Sequence, residues 1–182
     1  MLKNNKEILE GFPNKLKKDL HIVLNTLYQE KKNPPIFFKV NYEQETLIIP
    51  ERIYFYEPSK ENWEGFTEQQ RTILACLFTR HYNGFLREKY LTFILRQLPN
   101  YHWVTPYIVR LIGEYVIEIL DTIYLYLSKI DMSPLKDFLE GNPDFAEKTK
   151  SRVTSYWNCY YRMLFPVKDE YVGFKIIKYL DI

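Results

Sequence analysis

Three times in its second half the chain sets a small polar residue directly before a proline, at the head of an apolar-periodic stretch: Thr105-Pro106, Ser133-Pro134 and Asn142-Pro143. Proline is tolerated in the first turn of a helix, where its missing N–H has no intrahelical partner to lose, and a side-chain oxygen just before it is placed to cap. Each pair therefore predicts a helix start. A fourth start stands at Thr67-Glu68-Gln69-Gln70, a capping box in which Thr67 caps and Gln70 reaches back. Punctuation this regular restricts the chain to helices joined by short turns, which pack antiparallel as a bundle or as stacked pairs.

The stops are equally legible. The helix from Thr67 carries Ile73, Leu74, Leu77 and Phe78 and runs to about His81, where Asn83-Gly84 breaks it, both residues tolerating a left-handed conformation. A second helix runs from Phe85 to Leu98 and stops at Pro99-Asn100. The Thr105 helix is the longest, to about Ser128; the Ser133 helix is short and ends at Gly141; the Asn142 helix reaches about Phe165, before Pro166. The tail, "KDEYVGFKIIKYLDI", reads as helical despite Gly173. Upstream, Leu16, Leu20, Val23, Leu24 and Leu27 predict a helix over Asn14–Gln29 that ends before Asn33-Pro34-Pro35. There the period changes. "IFFKVNYEQETLII" is β-branched and aromatic around a polar centre, which predicts two short strands and a turn, with Pro50 ending the second. "RIYFYEP" reads as extended or irregular and "SKENWEG" as a linker. The expected fold is mainly α, a bundle or stack of antiparallel helical hairpins with a small N-terminal β-hairpin. It forms a single domain over residues 1–182, in which 1–65 hold the first helix and hairpin and 66–182 the helical core.

Composition excludes several functions. The net charge of +2 leaves no basic field of the kind that gathers nucleic acid. "KSRVTSYWNCYYR" mixes cations and rings as single-strand binders do, but Val153, Trp157, Tyr160 and Leu164 in it fall on one helical stripe, which reads as core. No membrane span is expected, because Arg110, Glu114, Glu118 and Asp121 interrupt the greasiest segment. The first residues lack the apolar run of a signal peptide, so the expected location is cytoplasmic. Cys76 and Cys159 lie within apolar patterns and read as buried thiols. His21, His81 and His102 have no neighbour at metal-ligand spacing, and no phosphate loop, dinucleotide fingerprint or nucleophile elbow occurs, so neither a metal nor a cofactor is expected. The distinctive excess is aromatic: 16 Tyr, 12 Phe and 3 Trp, rings that serve a core or a binding surface equally.

One segment concentrates polar chemistry. "TRHYNGFLREKY" places Arg80, His81 and Arg87 around the Asn-Gly turn. Arg87 opposes the dipole of the helix it begins, which calls for an anionic partner. Read as one continuous helix, Arg110, Glu114, Glu118 and Asp121 share a face, so Glu114 and Glu118 are expected to be partly buried against Arg80 and Arg87. Such a cluster serves either as an interhelical ion-pair network or as a ligand cleft with His81 as acid or base.

"NGFLREKY" also resembles the turn of a HEAT-type helical hairpin, over about Thr67–Leu98: Asn83 stands in place of the capping acid, Leu86 of the aliphatic and Arg87 of the arginine, while Tyr90 stands where that pattern has a small residue. The stretches "IPERIY", "LACLFTRHYNGFLREK" and "WVTPYIVRLIGEYVIEI" resemble a group of uncharacterised bacterial cytosolic proteins. That resemblance implies a location and assigns no catalytic residue. The expected function is a non-enzymatic protein-interaction or scaffold module. The alternatives are an enzyme or binder acting on a small anionic ligand in a cleft lined by Arg80, His81, Arg87 and Glu114, and a toxin-neutralising partner protein.

Overall fold

The structure is a computed structural model that describes residues 8–29 and 36–182. The expected stop at Asn33-Pro34-Pro35 lies outside the described residues. The protein is mainly α-helical with one small antiparallel hairpin. It divides into two compact units, Met1–Ile94 and Leu95–Ile182.

In the first unit, a 3-10 turn leads into α1 (Lys17–Asn25), which buries Leu20, Val23 and Leu24. Strands β1 (Phe37–Tyr42) and β2 (Glu45–Pro50) follow, paired from Phe37 opposite Pro50 to Tyr42 opposite Glu45. Their two-residue turn places Glu43 at φ 52°, the positive φ with which a tight hairpin follows the twist of its strands. Next come α2 (Lys60–Gly65), α3 (Glu68–Phe78) and α4 (Gly84–Gln97), of which the first unit holds the part up to Ile94. The capping box at Thr67 and Gln70 is formed in both directions. The Gln69 and Gln70 amides also donate to Asp19, at 2.6 and 2.7 Å, which ties α3 to α1.

Two expectations change here. "SKENWEG" is not a linker but α2: the Ser59 hydroxyl accepts from Asn62 N–H, and Trp63 lies edge-on to Phe93 at 5.0 Å. A helix this short is marginal by itself, so it is the packed indole that holds it. The Asn83-Gly84 break uses no left-handed residue. Instead the Asn83 side-chain oxygen accepts from Phe85 N–H at 3.0 Å and starts α4.

The second unit is built on α5 (Thr105–Ile112), all eight residues of which are buried. Around it stand α6 (Ile117–Leu127), α7 (Ser133–Glu140) and α8 (Pro143–Tyr156), and α9 (Val172–Leu180) packs on α6 and α8. The three small-residue–Pro pairs do open helices, but with different hydrogen bonds from those expected. Thr105 donates its hydroxyl to His102 O, Asp131 caps the Ser133 N–H, and the Asn142 amide donates to Phe138 O. At Gly173 a Cβ would lie 2.7 Å from both Val153 and the Tyr171 ring, so glycine is what lets α9 approach α8.

The expected long helix is two helices. Gly113 takes φ −86°, ψ 35° and Val116 is extended, so the chain turns between α5 and α6. Only the α5 half is buried all round. In α6, Ile119, Leu120, Ile123 and Leu127 face inward while Glu118 and Asp121 are exposed. The shared face assigned to Arg110, Glu114, Glu118 and Asp121 therefore does not exist, because Glu114 sits in the break.

Candidate functional site

The polar joint at residues 79–90 folds onto the backbone of its own unit. As α3 ends, Arg80 N–H bonds to Leu77 O, and Ile53 N–H reaches across to Arg80 O at 2.9 Å. This parallel bridge between Ile53 and His81 brings the irregular "RIYFYEP" segment against the helix end. Arg80 is fully buried. Its guanidinium donates to the carbonyls of Thr79 at 3.1 Å, Glu51 at 3.0 Å and Pro50 at 3.4 Å, and lies 3.9 Å from the Glu51 carboxylate. Arg87, also buried, donates through Nη1 to His81 O and Tyr82 O, both at 2.9 Å. Two arginines thus satisfy carbonyls that a helix end and a bend leave without backbone partners.

His81 is held on both edges. Nε2 lies 2.9 Å from Phe55 O, and Nδ1 accepts the Asn83 N–H at 3.0 Å. A carbonyl requires a donor and an N–H requires an acceptor, so the ring is the neutral Nε2–H tautomer. It stacks on Phe78 at 5.4 Å with planes 4° apart. A general base needs a free lone pair aimed at a substrate proton; here the lone pair holds the Asn-Gly turn.

Glu114 and Glu118 belong to the second unit. Glu114 is buried in the α5–α6 break, and Glu118 is exposed in the first turn of α6, where the helix dipole favours a carboxylate. A Cβ added to Gly113 would meet Arg152 at 3.2 Å and Arg110 at 3.6 Å, so two cationic side chains border the glycine beside Glu114. Asp121, close to Glu118, has its carboxyl held above its usual range, first by desolvation and then by the Glu118 charge.

The tyrosine-rich segment departs most from expectation. After α8 the chain makes a five-residue π-helix, Trp157–Tyr161. Its wider turn winds less per residue, which moves later side chains off the helical stripe. Val153 and Trp157 are buried as expected, but Tyr160 is 64% and Leu164 71% exposed, and Cys159 is exposed too. Trp157 anchors the turn, its indole N–H donating to Phe165 O at 2.9 Å. Tyr161 donates to Tyr115 O at 2.6 Å and so satisfies the α5–α6 break. Tyr115, Tyr156 and Tyr160 lie with ring centroids 5.9 to 6.3 Å apart, and Met163, next in the chain after Arg162, is 92% exposed. The outcome is a ring-and-thioether surface centred on the π-helix. The π-turn that exposes it leaves no mark in side-chain spacing.

Among the described residues an open cavity of about 450 Å³ lies beside α2 and α4, lined by Trp63, Tyr90 and Phe93, and another of about 350 Å³ lies between α7, α8 and the last residues. Among the described residues no group of three or more His, Cys, Asp or Glu side chains is placed to hold a metal ion, and no helix is long and apolar enough to cross a membrane. The Cys76 thiol, fully buried, is pushed up by desolvation and is not the thiolate a nucleophile requires. Compared with protein-family models, with curated proteins and with solved structures, the chain matches none of them.

Proposed function

We propose that the protein is a non-enzymatic interaction or scaffold module whose protein partner docks on the tyrosine-lined surface of the second unit. The observation that carries this reading is the exposure of Tyr160, Met163 and Leu164 together, at 64, 92 and 71%. Single exposed apolar side chains are ordinary; a run of them beside a cluster of rings is the composition of an interface core, where Tyr, Met and Arg are enriched. Arg162 lies within the run, its guanidinium 5.8 Å from the Trp157 ring. A partner protein that covers this surface removes it from water without refolding the unit. Toxin neutralisation is a special case of the same docking.

The small-anion cleft of Arg80, His81, Arg87 and Glu114 is the weaker proposal. The hydrogen bonds around Arg80 and His81 run to backbone carbonyls and an amide, which leaves the imidazole no role in acid–base chemistry.

The test is site-specific photo-crosslinking in extracts of the source cell. A crosslinker at Met163 should give one discrete protein adduct that Tyr160→Ala removes while the melting temperature holds. Identical adduct patterns from Met163 and from exposed Lys136 would overturn the reading.

A further inference from the structure

We propose that the cavity between α2 and α4 is a binding site for an alkylated ammonium group, with Lys89 as its built-in competitor. The cavity holds about 450 Å³, within the range of small-ligand sites. Its walls are three rings: Trp63 from α2, and Tyr90 and Phe93 from α4. The indole is edge-on to Phe93 at 5.0 Å and tilted to Tyr90 at 5.8 Å. At its mouth stands Glu57, oriented by the Tyr90 hydroxyl, which donates to its Oε1 at 3.0 Å.

Rings beside a carboxylate favour a cation, and a cation is already present. The Lys89 ammonium pairs with that same Glu57 oxygen and lies 5.4 Å from the Tyr90 ring centroid. The molecule therefore places an ammonium group where the carboxylate and a π face converge, the arrangement by which aromatic cages take quaternary ammonium ions. Lys89 holds this position loosely. Its side chain is 62% exposed, and a pair so open to water contributes little. Reaching in from the rim, it leaves the indole and the Phe93 ring to others. An ammonium bearing methyl groups would set its charge against Glu57 and its carbons on Trp63 and Phe93, burying apolar area that Lys89 does not. The other lysine lining the cavity, Lys60, lies 3.5 Å from Glu64 and is 83% exposed, so its charge is met outside.

Such a ligand has two sources, a free trimethylammonium compound or a trimethylated lysine side chain of a protein. The inference concerns the first unit and is independent of the docking surface proposed above. Calorimetry on the full chain tests it, with choline and its neutral isostere 3,3-dimethylbutan-1-ol as probes, and a peptide with trimethyllysine beside the same peptide unmodified. Choline should bind and the neutral isostere should not. Lys89→Met should bind choline a few-fold tighter, because the resident competitor is gone. Glu57→Gln, at an exposed position, should weaken binding about as much, and Trp63→Phe, which keeps a ring on α2, should weaken it as well. Stronger binding of the trimethyllysine peptide than of choline assigns the site to a protein side chain, and the reverse to a free compound. No heat with either Lys89→Met or wild type, equal binding of the neutral isostere, or undiminished binding by Glu57→Gln overturns the proposal.

Discussion

The joint at residues 79–90 and the surface around the π-helix are mirror images of what their residue types suggest. The joint is rich in arginine and histidine, the residues of catalysis, yet Arg80, His81 and Arg87 are buried and bond to nearby backbone. The π-helical surface is rich in tyrosine, methionine and leucine, the residues of a core, yet it faces water. Buried polar groups must find partners, and the nearest unsatisfied groups are the carbonyls of a helix end. Rings escape burial when the backbone turn that carries them is not the one their spacing assumes.

The largest effect should come from breaking the joint. Arg80→Met takes the donor from the buried Thr79 and Pro50 carbonyls, each worth about 1–3 kcal/mol, while the Glu51 carbonyl keeps the Arg52 guanidinium at 2.7 Å. A loss of roughly 3 kcal/mol or more in urea unfolding is expected; a loss under about 1 kcal/mol would mean that water reaches those carbonyls. Next, Gly173→Ala forces a methyl against Val153 and the Tyr171 ring, and overpacking of this kind costs about 1–3 kcal/mol. Unchanged stability would show that α9 can move away from α8.

Smaller effects sharpen the contrast inside the tyrosine cluster. Tyr161→Phe removes the donor to Tyr115 O and should cost about 1 kcal/mol, read as a lowered melting temperature. Tyr171→Phe should do the opposite, because the buried Tyr171 hydroxyl has no hydrogen-bond partner among the described residues. Removing an unsatisfied buried group is neutral or slightly stabilising. Equal losses from the two variants would show that the distinction between their hydroxyls is false. Asp121 supplies the pH counterpart. Its folded-state proton affinity is raised, so the folded state binds that proton more tightly than the unfolded one. Its ionisation therefore lowers stability as pH rises through the carboxylate range. Asp121→Asn should raise the melting temperature slightly at pH 7 and make no difference at the acid end of that range.

Local signals were legible and tertiary ones were not. The capping box at Thr67 depends on four adjacent residues, and it is present. The hairpin follows from β-branched and aromatic composition alone. Gly113 was a readable warning within an apolar helical pattern, since glycine in a helix interior costs about 1 kcal/mol against alanine. The periodicity of its neighbours outweighed it, and the shared carboxylate face was lost with the break. Helix α2 was illegible because it rests on Trp63 meeting Phe93, thirty residues away. For the same reason the rings beside the cavity could not be grouped in advance. Tyr160 and Leu164 were misplaced because a π-helix changes the period by which a stripe is read.

The central contrast rests on His81, the one side chain of the joint whose chemistry could serve either a site or a scaffold. Its tautomer is measurable by long-range proton–nitrogen NMR at neutral pH. A single fixed ring, protonated at Nε2 and unprotonated at Nδ1, with the Asn83 amide protected from exchange, is the result this account predicts. An Nδ1–H tautomer, or a ring exchanging between forms beside an unprotected Asn83 amide, would contradict it and return the joint to the candidates for chemistry.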